Sequence, residues 1–464
     1  MTTQPPWTPS SADRSQVHRS QTQGFHPASS SRPSFSRQSG NLLSSFDTLS
    51  LHKSAHPSSL QSKSSSTGQT VQTKSDRART SPAKKQRRKR STPFRNAGQN
   101  ATAEWTVMVY MAGNNLEKYA IQDFLELAAA GSDGKVNIVV QLDRTAGYDS
   151  SYGNWTDTRR GLVQKGGKPS ANWGTSVGEV NMGSANTLKN FVNWGTSTYK
   201  ANRYALVMWG HGSGYNVSYD DATGDGMSGG ELNSVLGGLP AKVDMVGADA
   251  CLMSTTEFAT QIADHASVFV GSQELEPGSG WNYTPVLQDL KANPAMTAAQ
   301  LGSSVVTRYG QTYSRGNETL SAIDLTALRN SNSSSFTHAI GSFATALTTS
   351  ATRSDLDTLD FWRDSLANVF DTDHDSNNFC DVGRLFSGFV SSPGVSAALQ
   401  SAAQVVLNAH SSTVIQNYTA IANRSTGLSL YLPDRGASQK ANYTINYSAA
   451  INTLWGEFVN GAFW

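Results

Sequence analysis

The chain has 464 residues, 37% of them hydrophobic, with 37 Lys and Arg against 35 Asp and Glu. The near-neutral total hides a split, because the first hundred residues hold 16 basic and 3 acidic side chains and the remainder is acidic. No run of 18 apolar residues is present to span a bilayer, no apolar leader opens the sequence, and the two cysteines, Cys251 and Cys380, are too few for a disulfide-stapled secreted fold; a cytoplasmic location is the expectation.

Residues 1–103 are rich in Ser, Thr and Gln and poor in aliphatic side chains. Such a segment cannot offset its ordering entropy by burial, so a disordered tail is expected there. Its cationic cluster Lys84-Lys85-Gln86-Arg87-Arg88-Lys89-Arg90 reads foremost as a solvated linker, with weak nucleic-acid contact as a second reading.

From Glu104 the texture changes. Trp105–Met111 is a continuous apolar run, as in a strand buried on both faces, followed by helical spacing from Leu116 to Leu127 and a terminating Gly131. Val136–Leu142 reads as a second strand, Ala185–Tyr199 as a helix and Tyr204–Trp209 as a third strand. Ser228-Gly-Gly-Glu231 is a capping box opening a helix to Leu239; Val243–Gly247 is a fourth strand, Ser254–His265 a helix, and Val268–Ser272 a fifth strand. This alternation predicts an α/β fold: a mostly parallel central sheet with helices on both faces, its core within about 104–290. Residues 291–464 complete the folded domain 104–464. They are expected to be mostly helical over 298–410, with a late strand at Gly427–Leu432 rejoining the sheet and a closing amphipathic helix.

In open α/β sheets, reactive groups collect beyond the carboxyl ends of strands. The third strand ends Trp209-Gly210-His211-Gly212 and the fourth leads into Ala248-Asp249-Ala250-Cys251. If these strands are neighbours, an imidazole and a thiol project from one rim, the arrangement of a general base beside a nucleophile. The backbone N–H groups of Gly212 and Cys251 are then placed as oxyanion donors. A helix after Cys251 would aim its N-terminus at the thiolate and lower its pKa. Alone, a strand-end Cys is more often a small buried hydrophobe and a strand-end His structural; the combination is more selective.

The segments WTVMVYMAGNNLE, GEVNMGSANTLKNFVNWG, YALVMWGHGSGY, VDMVGADACLM and SQELEPGSGWNY, in this order, together with FCDVGRLF and GLSLYLP, resemble the clostripain family of caspase-like cysteine peptidases. The resemblance runs from about residue 104 to the C-terminus. It implies a caspase-like sandwich, a His211–Cys251 dyad working through an acyl-thioester, and cleavage of protein or peptide substrates after Arg or Lys. Asp249 falls on the family's acidic residue at the base of the P1 pocket, where a carboxylate near the nucleophile suits a guanidinium. Glu274 and Glu276 are expected to add negative charge, and Trp281 to wall the pocket.

One departure concerns activation. Members of the family are typically cut after a basic residue between His and Cys, yet Gly212–Leu239 holds no Lys or Arg, and Lys242 is the lone basic residue before Cys251. The chain is thus expected to work uncut or to be trimmed elsewhere, as at 84–90. No cofactor is required by the sequence. Calcium is entertained at Asp371-Thr-Asp373-His-Asp375-Ser-Asn377, which starts like an EF-hand loop but lacks Gly at position 6 and has Val382 at position 12, and at the acidic loop Asp220, Asp221 and Asp225.

A serine-hydrolase alternative rests on Gly174-Thr-Ser176-Val-Gly178 and fails on context, since no buried strand precedes the serine and no helix follows it. A non-enzymatic alternative is an inactive caspase-like scaffold or nucleic-acid-binding protein acting through its basic tail.

Overall fold

Strand β1 (Ala103–Ala112) is buried along almost its whole length, as its uninterrupted apolar run requires. In this computed structural model the described residues are 102–329, 333–364, 379–433, 435, 453–461 and 464, all within one compact unit, Arg90–Trp464. The basic cluster at 84–90 and the EF-hand-like segment at 371–377 lie outside the described residues.

After β1 come α1 (Glu117–Ala130), β2 (Val136–Asp143), the antiparallel pair β3 (Thr158–Leu162) and β4 (Thr175–Gly178), α2 (Ala185–Thr198) and β5 (Ala201–Trp209). A hairpin, β6 (Asn216–Asp220) and β7 (Asp225–Ser228), leads to α3 (Gly229–Gly237), whose Ser228 and Glu231 form the reciprocal capping box. Then follow β8 (Met245–Asp249), α4 (Thr256–Ile262), β9 (Val268–Gly271), α5 (Tyr283–Ala292), α6 (Ala298–Thr312) and β10 (Thr319–Asp324). The rest comprises α7 (Leu325–Leu328), α8 (Phe336–Ser350), α9 (Arg353–Trp362), β11 (Phe379–Asp381), α10 (Val382–Ser391), α11 (Ala397–Thr413), β12 (Val414–Thr419), β13 (Ser429–Tyr431) and α12 (Thr453–Asn460).

Nine strands form one mixed sheet in the order β12-β10-β9-β8-β5-β1-β2-β3-β4. Its centre, β9-β8-β5-β1-β2, is parallel, and both flanks are antiparallel. Strand alternation sends Val107, Val109 and Met111 to a core shared with α1, α5 and α6. Met108 and Tyr110 go to an opposite core built on α2, α3, α4, α8, α10 and α11. The chain leaves β1 for β2 on one side and returns through β5 to β8 and β9 on the other. A topological switch therefore falls between β1 and β5, where open α/β sheets form their crevice.

One expectation needs correction. The described part of 298–410 is mostly helical as expected, but it also contains β10, which pairs antiparallel with β9 and carries β12 as the sheet's edge. With that edge occupied, the late strand does not rejoin the main sheet: β13 pairs with β11 in a separate two-stranded ribbon and touches the β8–α4 connection through one bridge, Thr255 to Ser429. No helix of the described residues is long and apolar enough to cross a membrane.

Candidate active site

β5 and β8 are hydrogen-bonded neighbours with Trp209 opposite Asp249, and the Gly210 N–H continues the ladder to the Asp249 carbonyl at 3.2 Å. His211 and Cys251 thus each follow two residues beyond facing strand ends. Gly212 lies against the Cys251 segment so closely that a Cβ there would collide with the Cys251 carbonyl oxygen. After Cys251 the chain turns sharply, with Leu252 in the left-handed region at φ 67°. A non-glycine residue there stores strain, held by the Leu252 N–H bond to the Glu274 carbonyl at 3.0 Å.

The imidazole is positioned from β1. Nε2 of His211 lies 2.8 Å from Oδ1 of Asn115, just past the β1 carboxyl end. An amide oxygen only accepts, so Nε2 carries the proton and Nδ1 is left as the basic nitrogen. The Asn115 N–H is itself tied to the Asp221 carboxylate at 3.2 Å, on the β6–β7 turn. Burial holds the His211 pKa below its ordinary value, and Asp221 opposes that shift. Asn115 was not singled out by sequence reasoning; applying the strand-end rule to β1 as well as β5 and β8 would have found it.

The Cys251 thiol receives the Glu276 backbone N–H at 3.3 Å. Burial nevertheless pushes its pKa up, against the pull of that N–H and its own. This corrects the expectation of a thiolate stabilised by the following helix. The helix starts only at Thr256, past the Leu252–Thr255 turn, and desolvation outweighs the local dipoles. Both shifts favour the neutral forms, a thiol at Cys251 and an uncharged imidazole at His211.

Gly212 faces Val217 in an isolated antiparallel bridge. Its two hydrogen bonds run from Ser218 N–H to the His211 carbonyl and from Ser213 N–H to the Asn216 carbonyl, each 3.1 Å. The Gly212 N–H takes no part in this bridge.

Asp249 ends β8 with its carboxylate buried. Its Oδ2 accepts the Tyr283 hydroxyl at 2.6 Å, and both oxygens lie 3.2–3.3 Å from the Trp281 backbone N–H. Close approach of that loop requires Gly280, where a Cβ would fall 2.6 Å from Oδ1. Trp281 serves Asp249 through its backbone, while its indole lies against Gly247 inside β8. Glu276 places both carboxylate oxygens in the interior, where the Trp281 indole N–H is turned toward them without closing a hydrogen bond of normal geometry. From α1, Asp123 takes the Trp209 indole N–H on Oδ2 at 2.7 Å and leaves Oδ1 unpartnered. Among the described residues, no Lys, Arg or His ion-pairs with Asp123, Asp249 or Glu276.

Glu274 lies elsewhere. Its carboxylate is bound to Arg424 at 3.2 Å, so its charge is already compensated. The acidic loop is likewise committed to turns: Asp220 accepts the Met182 and Thr223 N–H groups, each at 2.9 Å, and Asp225 accepts the Asn181 amide at 2.7 Å. Ser176 sits on the exposed strand β4 at the far edge of the sheet, bonded to Asp157.

The model of the clostripain family matches residues 109–461. The chain belongs to the clostripain family. It is 29% identical over 233 residues to clostripain of Hathewaya histolytica, a match covering 42% of this chain and 44% of that protein. The match thus spans less than half of that relative's length. The fold resembles that of a secreted C11 cysteine protease of Bacteroides thetaiotaomicron in complex with an irreversible peptide inhibitor, at 20% identity and TM-score 0.56 over 75% of this chain and 99% of the other. It also resembles an inactive zymogen C11 protease of Parabacteroides distasonis, at 17% identity and TM-score 0.55 over 78% and 99%. These likenesses support the caspase-like sandwich expected from sequence.

Proposed function

We propose that this chain is a cysteine endopeptidase that cleaves after Arg or Lys. Cys251 is the nucleophile, His211 the base and then the acid, and an acyl-thioester the intermediate. Nδ1 of His211 takes the thiol proton as Sγ attacks the scissile carbonyl; the Gly212 and Cys251 N–H groups receive the developing oxyanion. The imidazolium then protonates the departing amine, and water attacks the thioester with the same base. The observation that carries the basic specificity is the group of buried carboxyls uncompensated by any described cation: Asp249, two residues before Cys251, with Asp123 and Glu276. Burying charge without a partner costs far more than burying it paired, so this pocket is built for a cation supplied from outside.

Hydrolysis of fluorogenic peptides differing only in P1, as Arg, Lys, Asp or Leu, tests the reading. Turnover confined to Arg and Lys is expected; turnover confined to Asp or Leu contradicts the pocket assignment, and none with any peptide contradicts the peptidase itself. Asn115 enters as a positioning residue. Asn115→Ala lowers kcat by about tenfold with KM little changed, because the imidazole loses the acceptor that fixes its tautomer. Asn115→Asp, which restores an acceptor, recovers part of the rate; equal losses in both variants would show that the contact is only structural.

A further inference from the structure

Asp123, Asp249 and Glu276 come from three separate elements, α1, the end of β8 and the loop before α5, and converge in one buried volume. Asp123 is 1% exposed and Asp249 4%. Tyr283, Trp281 and Trp209 donate to two of these acids, yet one oxygen of Asp123 is left unpartnered and Glu276 has the Trp281 indole N–H turned toward it without a hydrogen bond of normal geometry. Glu276 also meets the Asp249 carboxyl, and two carboxyls form a hydrogen bond only when one holds a proton.

We propose that the empty pocket keeps one proton shared between Asp249 and Glu276 at neutral pH, and that entry of a basic P1 side chain expels it to solvent. Substrate recognition is then a cation-for-proton exchange. This rests on the basic-P1 reading above and adds what the pocket does when no substrate fills it.

Hydrogen bonds from Tyr283 and Trp281 favour the ionised carboxyls, but burial and the neighbouring titratable groups outweigh them. The other titratable groups facing the pair are Asp123 and Glu126 from α1, Tyr283 from α5, Tyr309 and Tyr313 from α6, and the Cys251 thiol. Every one is an acid, so none offsets the charge of a doubly ionised pair. Burial lifts Asp249 to about 6. Burial first and the Asp249 charge second hold Glu276 and Asp123 well above the ordinary carboxylate range. A guanidinium or ammonium beside the pair reverses the balance, because an opposite charge within a few ångströms favours the ionised carboxyl. The proton leaves as the cation arrives, and the pocket's net charge is nearly unchanged.

Calorimetric titration of the full chain carrying Cys251→Ala tests this. The ligand is a short peptide amide ending in Arg, at pH 7, in phosphate and in Tris. Binding enthalpies that differ between the buffers by about one released proton per peptide are expected, with Kd tightening by up to about tenfold per pH unit as pH rises from 5.5 to 7. Adding Glu276→Gln cuts the release to below half while binding persists. Asp123→Asn, which keeps an acceptor for the Trp209 indole, also reduces it and serves if the first variant does not fold. Equal enthalpies in the two buffers with binding intact overturn the exchange and leave the basic-P1 reading standing. An Arg peptide that binds no more tightly than its norleucine counterpart overturns both.

Discussion

Cys251→Ala lowers peptidase activity by about 10⁴-fold or more, to the level that binding and oxyanion donors alone supply. The expectation rests on the thiol's surroundings. Sγ sits beside the Glu276 N–H at 3.3 Å and follows a strand end that faces the His211 strand. Because the thiol is only partly exposed and the site already tolerates a neutral SH, truncation to a methyl leaves the fold intact. The melting temperature should therefore stay within a few degrees of the parent. Iodoacetamide labelling gives the companion measurement: at neutral pH it should modify Cys251 and spare Cys380, which is fully buried in the core. Since burial pushes the thiol pKa up, labelling should be slow at pH 7 and accelerate toward alkaline pH. Fast labelling with a plateau below pH 6 would mean a resting thiolate–imidazolium pair, contrary to the desolvation seen at both groups. An alanine variant that keeps a tenth of the activity would remove Cys251 from the chemistry altogether.

The parallel centre of the sheet was legible because β1, β2, β5, β8 and β9 are buried on both faces and must be written as apolar runs. Reading their carboxyl ends then singled out His211 and Cys251, and the structure makes those two strand ends neighbours. What the sequence could not reveal depends on contacts across long separations. Asp123 reads as an ordinary polar residue in an amphipathic helix, and only the packing of α1 under Trp209, 86 positions away, turns it inward. Glu274 and Glu276 are equivalent by sequence, two positions apart in a loop. Their fates diverge because Arg424, 150 positions on, neutralises the first, while among the described residues no basic side chain ion-pairs with the second. β10 and β12 were missed for a related reason: each is a short antiparallel strand whose identity is set by its partner more than by its own pattern.

These placements share one electrostatic theme. Burial favours the neutral forms of His211 and Cys251, and among the described residues the nearby acids are buried without cations. On the proposed reading, substrate supplies the ion that organises the site. Such an arrangement avoids keeping a thiolate and several carboxylates desolvated together, which the low dielectric of the interior would penalise heavily.

Asp249→Asn lowers kcat/KM for P1 Arg and Lys peptides by about 100-fold, roughly 3 kcal/mol, the scale of losing one partner of a buried charge pair. Asparagine is the informative substitution because its amide oxygen still accepts the Tyr283 hydroxyl and the Trp281 N–H. The Gly280 loop stays seated, and the change is one of charge more than shape. Stability should hold or rise, since a desolvated acid whose pKa is lifted to about 6 no longer has to ionise. The sign follows from linkage: a carboxyl with a raised folded-state pKa contributes stability below its unfolded value and loses it as pH climbs through about 6, so the variant's advantage appears above that pH and vanishes near pH 4. Turnover of a P1 Leu peptide, low in the parent, should not fall in parallel and is expected to gain relative to Arg. If Arg and Leu peptides lose activity by the same factor while melting temperature is unchanged, Asp249 acts on the dyad and not on P1. Glu274→Gln provides the contrast, since its carboxylate is engaged by Arg424, and it should leave the P1 preference unaltered.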